Sequence, residues 1–133
     1  MNRTTKSKEV LENDCLITYM CGKFYQQTKK AGLKELKPFV LVKNHKYGKN
    51  TIYEYIAFYN YKTHKMAFMS YHSFLYAWFI GEVPAGYDVD HIDGDTLNND
   101  ITNLQLLTRK ENLAKRSIQG NQYKHTNNIK ESK

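Results

Sequence analysis

The sequence has few cysteines and no long apolar run. Cys15 and Cys21 are its only 2 cysteines in 133 residues, too few for a disulfide framework and not in the Cys-x-x-Cys spacing of a structural zinc site. The longest apolar run, FLYAWFI, is far too short to span a bilayer, and residues 1–14 lead into no apolar segment of a secretory signal. We therefore expect a soluble, single-domain protein in a reducing, cytoplasmic setting, with no membrane partner.

The net charge of +7 is unevenly distributed along the chain. Residues 1–80 hold 13 Lys and Arg against 5 Asp and Glu, whereas residues 81–133 hold 7 against 8. Lysines interleaved with tyrosines over residues 43–65 fit a polyanionic partner, because neutralised phosphates release condensed counterions. A solubilising lysine surface explains the composition equally well, so charge alone leaves both interpretations open.

Residues 14–80 carry the pattern of a β-rich region. The turn Cys21-Gly22 separates two candidate strands as a hairpin, and the turn-rich KYGKN separates two more. The candidate strands are DCLITY (14–19), KFYQQT (23–28), FVLVKNH (39–45), TIYEYIAFYN (51–60) and MAFMS (66–70). This pattern predicts one antiparallel sheet.

Helix signals and polar segments complete the division of the chain. Ser70 is a candidate cap for a helix over 71–80, where Phe74, Trp78 and Phe79 lie near one face as core candidates. The remaining segments are a flexible basic N-terminus (1–13), a strand–loop–strand–helix motif (81–118) and a loose polar tail (119–133). The expected fold class is α+β.

An acidic loop leads into the clearest helix start of the sequence. Thr108 and Glu111 have the spacing of a capping box, in which each side chain accepts a backbone N–H of the first helical turn. Asn112 follows directly, and its side chain can point back toward the strand that carries Asp90 and His91. This geometry would bring a carboxylate, an imidazole and an amide together.

These residues resemble a known family, the HNH endonucleases with their ββα-metal finger, and in particular the phage-type homing and nicking branch. The resemblance rests on DHIDGD (90–95), NN (98–99), NL (103–104), Thr108 and EN (111–112), preceded by HSFLYAWFIGEVPAGYDV (72–89). It covers roughly residues 70–116. The expected architecture is an antiparallel sheet with one helix, followed by the finger.

The resemblance implies roles for four residues. Asp90 and Asn112 correspond to the metal ligands, His91 to the base that activates water, and Asn103 to the residue that holds the loop and the orientation of the histidine. Oxygen ligands with open positions suit one Mg²⁺ or Mn²⁺ ion and do not suit zinc.

The implied activity is metal-dependent hydrolysis of phosphodiester bonds in double-stranded DNA, with one strand nicked per active site. The candidate DNA-contacting residues are Lys43, Lys46, Lys49, Lys115 and Arg116. The last two could equally be cations that complement a helix C-terminus. A homodimer or a protein partner could supply further affinity, and a phage-encoded chain would act in the host cytoplasm.

Purely structural roles and a non-catalytic function are the alternatives to these hypotheses. The Asp93-Gly94-Asp95 segment and the pair Asn98-Asn99 fit turn positions better than ligand positions, and His72 fits a surface or packing role. A non-catalytic nucleic-acid-binding or regulatory protein that keeps the fold is the alternative to the enzyme. The joint presence of Asp90, His91 and Asn112 favours the enzyme.

Overall fold

The computed structural model describes residues 6–44 and 50–115. Its elements, in chain order, are α1 (Lys8–Asn13), β1 (Ile17–Met20), β2 (Lys23–Thr28), β3 (Gly32–Leu36), β4 (Phe39–Lys43), β5 (Thr51–Asn60), β6 (Lys65–Ser70), α2 (Tyr71–Phe79), β7 (Tyr87–His91), a 3₁₀ turn (Ile101–Asn103) and β8 (Leu104–Thr108). A last helix, α3, begins at 109 and covers residues 109–115 of the described part. The α+β class predicted from the sequence is confirmed.

The strands form three antiparallel sheets, which corrects the expectation of one. Their orders are β1-β2-β3, β4-β5-β6 and β7-β8. Pro38 lies between the first two sheets, and proline has no N–H with which to continue a ladder. The predicted hairpin at Cys21-Gly22 is confirmed, with both residues at positive φ, 51° and 79°.

The prediction of a flexible N-terminal segment is wrong for residues 8–13. These residues form α1, where Ser7 accepts a hydrogen bond from the Val10 backbone N–H, and Leu11 is buried. A short helix is marginal by itself, so burial of Leu11 against the core is what stabilises it.

Helix α2 is the central packing element. Phe74 is fully buried, and its ring centroid lies 4.7 Å from that of Phe24 in the first sheet and 5.9 Å from that of Phe58 in the second. Trp78 is buried as predicted, whereas Phe79 is 41% exposed. The N-cap position is Ser70 as predicted, but its hydroxyl bonds the Ser73 hydroxyl rather than a backbone N–H.

A buried glutamine ties the first sheet to the second. The Gln26 amide donates to the carbonyls of Cys15 (2.7 Å) and Tyr59 (2.6 Å), and its oxygen accepts the Tyr59 N–H at 3.1 Å. Buried amides cost free energy unless they are hydrogen-bonded, and here both ends of the side chain have partners.

The third sheet and α3 follow the predicted strand–loop–strand–helix order. Strands β7 and β8 pair antiparallel, with Asp90 opposite Gln105. Val89 and Leu104 join the hydrophobic core that surrounds α2. The core therefore fixes the hairpin, and the hairpin fixes the ends from which the polar loop 92–103 leaves and returns.

Several sequence-based predictions fall on residues outside the described part. They are the Lys43 side chain, Lys46, Lys49, Arg116, residues 1–5 and the tail 119–133. None of the helices in the described ranges has the length and apolar content that crossing a bilayer requires.

The two cysteines should differ sharply in reactivity. Cys15 is 1% exposed, and burial together with the charge of Asp14 raises its pKa to about 11, whereas Cys21 is exposed. The thiolate is the reactive form, so at pH 8 a disulfide reagent such as DTNB should titrate one thiol in the native protein and a second only in denaturant. A Cys21→Ser variant serves as the control, and rapid native labelling of that variant would contradict the buried position of Cys15.

Candidate active site

Strand β7 presents two different pairs of side chains on its two faces. Because side chains alternate along a strand, Asp88 and Asp90 point toward α3, whereas Val89 and His91 point toward α2. Asp88 and Asp90 are half-buried, and His91 is only 5% exposed. The strand ends at His91, where both faces open into one cavity.

Asp90 is held from two elements. Its Oδ2 accepts a hydrogen bond from the Gln105 amide at 2.9 Å, across the β7–β8 pair, and an ion pair from Lys115 Nζ at 2.5 Å. Lys115 Nζ also donates to the backbone carbonyls of His91 (2.8 Å) and Ile92 (3.1 Å). Three oxygens thus surround one cation, which is an ammonium group here.

His91 is oriented by Asn99, a residue predicted from the sequence to be a turn former. Its Nε2 lies 2.7 Å from Asn99 Oδ1, and Asn99 Nδ2 donates to Glu54 Oε1 at 2.8 Å. Glu54 belongs to β5, in the second sheet. A hydrogen-bonded series therefore runs from a carboxylate through an amide to the imidazole.

Asn103 holds the loop, but the bond that orients the His91 ring comes from Asn99 instead. Asn103 Nδ2 donates to Asp93 Oδ1 and to the Asn98 carbonyl, both at 2.9 Å, and its Oδ1 accepts the Asp93 N–H at 3.1 Å. Its carbonyl accepts the Ile92 N–H at 2.7 Å. Asn103 thereby closes the loop on itself behind His91.

The remaining aspartates of the loop are turn and cap residues. The turn role was predicted for Asp93 and Asp95, and the structure adds Asp100 as the cap of the 3₁₀ turn. Asp93 accepts hydrogen bonds from the Asn98 amide, the Asp95 N–H and the Asn103 amide, which lower its pKa below the usual range. Asp95 Oδ1 accepts the Leu97 N–H, and Gly94 has φ of 80°. The Thr102 hydroxyl and N–H bond Asp100 and lower its pKa in the same way.

The capping box at the start of α3 is present. Glu111 accepts the Thr108 N–H at 2.9 Å, and Thr108 accepts the Glu111 N–H at 3.1 Å. Asn112 points back toward β7 as expected, yet its amide faces Asp88, whose Oδ2 lies 3.4 Å from Asn112 Nδ2. Lys115, about one helical turn later, is the residue that reaches Asp90.

His72 lies against the catalytic candidate from the other side. Its ring centroid is 4.4 Å from that of His91, and among the described residues its Nδ1 has no hydrogen-bond partner. Burial, followed by the neighbouring His91 and Lys6, lowers the pKa of His72 to about 3. The ring is therefore neutral at physiological pH and packs against His91 without adding charge.

Some of these side chains line a cavity of about 450 Å³. Its polar lining includes Asp88, Asp90, His91, His72 and Asn112, with Tyr53 from the second sheet. The described part of the chain contains no group of three or more His, Cys, Asp or Glu side chains arranged to hold a metal ion. A cation here would depend on carboxylate, amide and carbonyl oxygens, and on ligands from outside the protein.

Sequence-based prediction assigns no role in this site to Asp88, Glu54, Asn99 and His72. Asp88 was detectable as the i−2 neighbour of Asp90 on the same strand face. Glu54 was detectable as an acid on the face of β5 that carries the buried Ile56 and Phe58. The roles of Asn99 and His72 depend on contacts between distant segments, and no local signal indicates them.

Comparisons with known proteins find one family and one relative that match part of the chain. Residues 62–114 match the family described as HNH endonuclease. Over 41 residues the chain is 46% identical to a Bacillus subtilis (strain 168) protein named as an SPbeta prophage-derived HNH homing endonuclease. That alignment covers 31% of this chain and 24% of the relative, so the chain spans about a quarter of the relative's length. No solved structure matches the chain. Residues 62–114, which contain α2, β7 and β8, therefore carry the sequence pattern of the HNH endonuclease family.

Proposed function

We propose that this chain is a metal-dependent DNA endonuclease of the phage-type homing and nicking branch, with β7, β8 and α3 as its ββα-metal finger. The observation that carries the proposal is that the Asp90 carboxylate, the buried His91 imidazole and the Asn112 amide line one cavity. A cation already lies at this carboxylate, because Lys115 Nζ is held by Asp90 Oδ2 and by the carbonyls of His91 and Ile92. The name of the Bacillus subtilis relative, an HNH homing endonuclease from a prophage, supports the same activity.

The oxygen set suits a small divalent cation. The ammonium of Lys115 stands in for a positive ion at the carboxylate of Asp90, and Asn112 lines the same cavity. Carboxylate and amide oxygens with open positions suit Mg²⁺ or Mn²⁺, whereas zinc prefers nitrogen and sulfur. When bound, such an ion would supply Lewis-acid stabilisation of the scissile phosphate and of the leaving oxygen. Asp90 and Asn112 are the proposed ligands, and Asp88 neighbours Asn112.

His91 is the proposed general base. A neutral imidazole accepts a proton from a water molecule that attacks the phosphorus in line with the leaving oxygen. Burial of the ring, its bond to Asn99 and the packing of His72 restrict its rotation. Asn103 does not hydrogen-bond to the His91 ring, and its proposed role is to hold the neighbouring loop closed through its hydrogen bonds to Asp93 and Asn98.

Conversion of supercoiled plasmid tests this function. With Mg²⁺ or Mn²⁺ the purified chain should produce open circles, because one finger supplies one base and cuts one strand per encounter. EDTA should abolish the conversion. Linear product without a nicked intermediate at low protein concentration would show that the active species is a dimer.

Two outcomes of the plasmid assay overturn parts of the proposal. Conversion that survives chelation would refute the metal requirement. Duplex binding without conversion under either metal would favour the alternative, a non-catalytic nucleic-acid-binding protein that retains the fold. The pairing of Lys115 with Asp90 is the observation that suits this alternative, since an internal ammonium already neutralises the carboxylate.

Most of the affinity for DNA is proposed to come from the lysine-rich first 80 residues. Changing Lys43, Lys46 and Lys49 together to Gln should weaken binding to all duplex sequences alike. It should also lower the slope of log K against log salt by about 0.9 for each phosphate that the variant no longer neutralises. The matched control changes three exposed lysines of the β2–β3 hairpin, Lys29, Lys30 and Lys34, and removes the same charge elsewhere. Equal slopes in the two triple variants would show that net charge alone sets the affinity. An unchanged slope in the variant of Lys43, Lys46 and Lys49 would place the DNA contacts elsewhere, for example at Lys115 and Arg116.

A further inference from the structure

We propose that Glu54 and Asn99 are positioning residues that lock His91 in the tautomer with a proton on Nε2, leaving Nδ1 as the nitrogen that accepts a proton. This inference rests on the proposed function for its catalytic consequence. The tautomer lock itself is a property of the free protein and can be measured without DNA or metal.

The hydrogen-bond partners determine the direction of each bond. An ionised carboxylate can only accept, so Glu54 Oε1 requires a donor from the Asn99 amide, which is Nδ2 at 2.8 Å. The other end of the amide, Oδ1, then faces His91 Nε2 at 2.7 Å. A carbonyl oxygen accepts only, so Nε2 must carry the hydrogen. In neutral His91 the lone pair is consequently on Nδ1.

The fold places this series across two sheets. Glu54 lies on β5, 45 residues before Asn99, and on the strand face that carries the buried Ile56 and Phe58. His91 ends β7 in the third sheet. Rigid elements thus hold both ends of the series, and the loop supplies only the amide between them. Such an arrangement suits a site in which the direction of one ring must be fixed.

The competing explanation is that the Asn99 hydrogen bonds only fasten the loop to β5. A second contact between the loop and β5 provides a control. Thr96 Oγ1 donates to the Ile52 carbonyl at 2.5 Å, which also links the loop to β5 but does not involve His91. A Thr96→Val variant removes that link. If the Asn99 bonds served only to fasten the loop, Thr96→Val and Asn99→Ala should have similar effects on His91.

The tautomer is measured by two-bond ¹H–¹⁵N correlation in the ¹⁵N-labelled full chain at about pH 8, with the His91 signals assigned by their loss in His91→Ala. The native protein and Thr96→Val should show the Nε2–H form alone. Asn99→Ala should show both tautomers. In Glu54→Gln the amide of Asn99 can turn over, so the Nδ1–H form should also become detectable. A native Nδ1–H form, or no change in Asn99→Ala, would overturn the lock.

A double substitution separates the lock from simple packing. In Glu54→Gln combined with Asn99→Asp, the amide at position 54 donates to the carboxylate at position 99, which still accepts from Nε2. The charge moves from position 54 to position 99 and the bond between these two positions reverses, but the bond to Nε2 keeps its direction. The double variant should restore the single Nε2–H form that Glu54→Gln loses. Failure to restore it, in a variant whose thermal unfolding is native-like, would contradict the proposed series.

Nicking rates give the catalytic readout. At saturating DNA, Asn99→Ala should lower kcat by about 10- to 100-fold, if the scale known for partners that orient metal ligands also applies to a partner that orients a base, with little change in KM. The double variant, in which a side chain at position 99 again accepts from Nε2, should keep most of the native kcat. A changed tautomer with unchanged kcat would disprove the positioning role and leave the nuclease intact. If the native chain nicks no DNA, the proposed function fails, while the tautomer result stands by itself.

Discussion

Replacing His91 with alanine is expected to lower the nicking rate at saturating DNA by about 10²- to 10⁴-fold, the span associated with one positioned acid–base group. The imidazole is the only group proposed to take the proton from water, and its neighbour His72 has a pKa of about 3 and packs against it without a hydrogen bond from Nδ1 within the described residues. His72 is therefore poorly suited to replace it. Duplex affinity should change little, because DNA binding is assigned to the lysines. Single-turnover plasmid nicking and a filter-binding titration measure the two quantities.

The matched control for His91→Ala is His64→Asn. His64 is exposed and has φ of 59°, a backbone conformation that asparagine tolerates. This variant should nick at the native rate. If His91→Ala lost binding and cleavage equally, or lost the cooperative thermal transition, His91 would be a structural residue and the assignment of the base would be wrong.

The second large effect is expected at the proposed metal ligands, Asp90 and Asn112. Asp90→Asn keeps the shape of the side chain and its contact with Gln105 but removes the charge that the cation needs. Mn²⁺ affinity, measured by calorimetry without DNA, should fall by about 100-fold or more, since even the outer partners of metal ligands are worth about 10- to 100-fold. Asn112→Ala should lose less, because an amide oxygen carries no net charge.

Asp100→Asn is the control for the metal measurement. Asp100 is exposed in the same loop and caps the 3₁₀ turn, and an asparagine oxygen can accept the same Thr102 N–H. Its Mn²⁺ affinity should equal that of the native chain. Native affinity in both Asp90→Asn and Asn112→Ala, or Zn²⁺ as the preferred activator of nicking, would refute the oxygen-ligand site.

Local signals predicted most of the fold. The Cys21-Gly22 turn, the strand cores around it and the Thr108–Glu111 capping box depend on residues close in sequence, and the structure has them. Strand β3 was not predicted because it has little hydrophobic pattern of its own: Leu33 is 47% exposed, and Leu36 is the one buried residue of the strand. Its stability comes from the backbone ladder with β2.

The parts of the site that could not be predicted from the sequence depend on contacts between segments that are distant in the chain. The resemblance placed Asp90, His91 and Asn112 in one region, and all three line the same cavity. It could not indicate that Glu54 reaches Asn99, because the two residues lie in different elements 45 positions apart. The sequence also left two roles open for Lys115, a contact with a DNA phosphate or an interaction with the C-terminus of the helix. In the structure the Lys115 ammonium forms an ion pair with Asp90.

The most direct measurement of the central claim is an anomalous diffraction map from crystals of His91→Ala grown with Mn²⁺ and a DNA duplex, a variant expected to bind DNA without cutting it. The predicted result is one peak per chain, with the Asp90 carboxylate, the Asn112 amide oxygen and a DNA phosphate oxygen at roughly 2.1 Å from it, and with Lys115 Nζ displaced from Asp90. A map with no peak at Asp90, or with its peak at the loop carboxylates of Asp93, Asp95 and Asp100, would contradict the proposed active site.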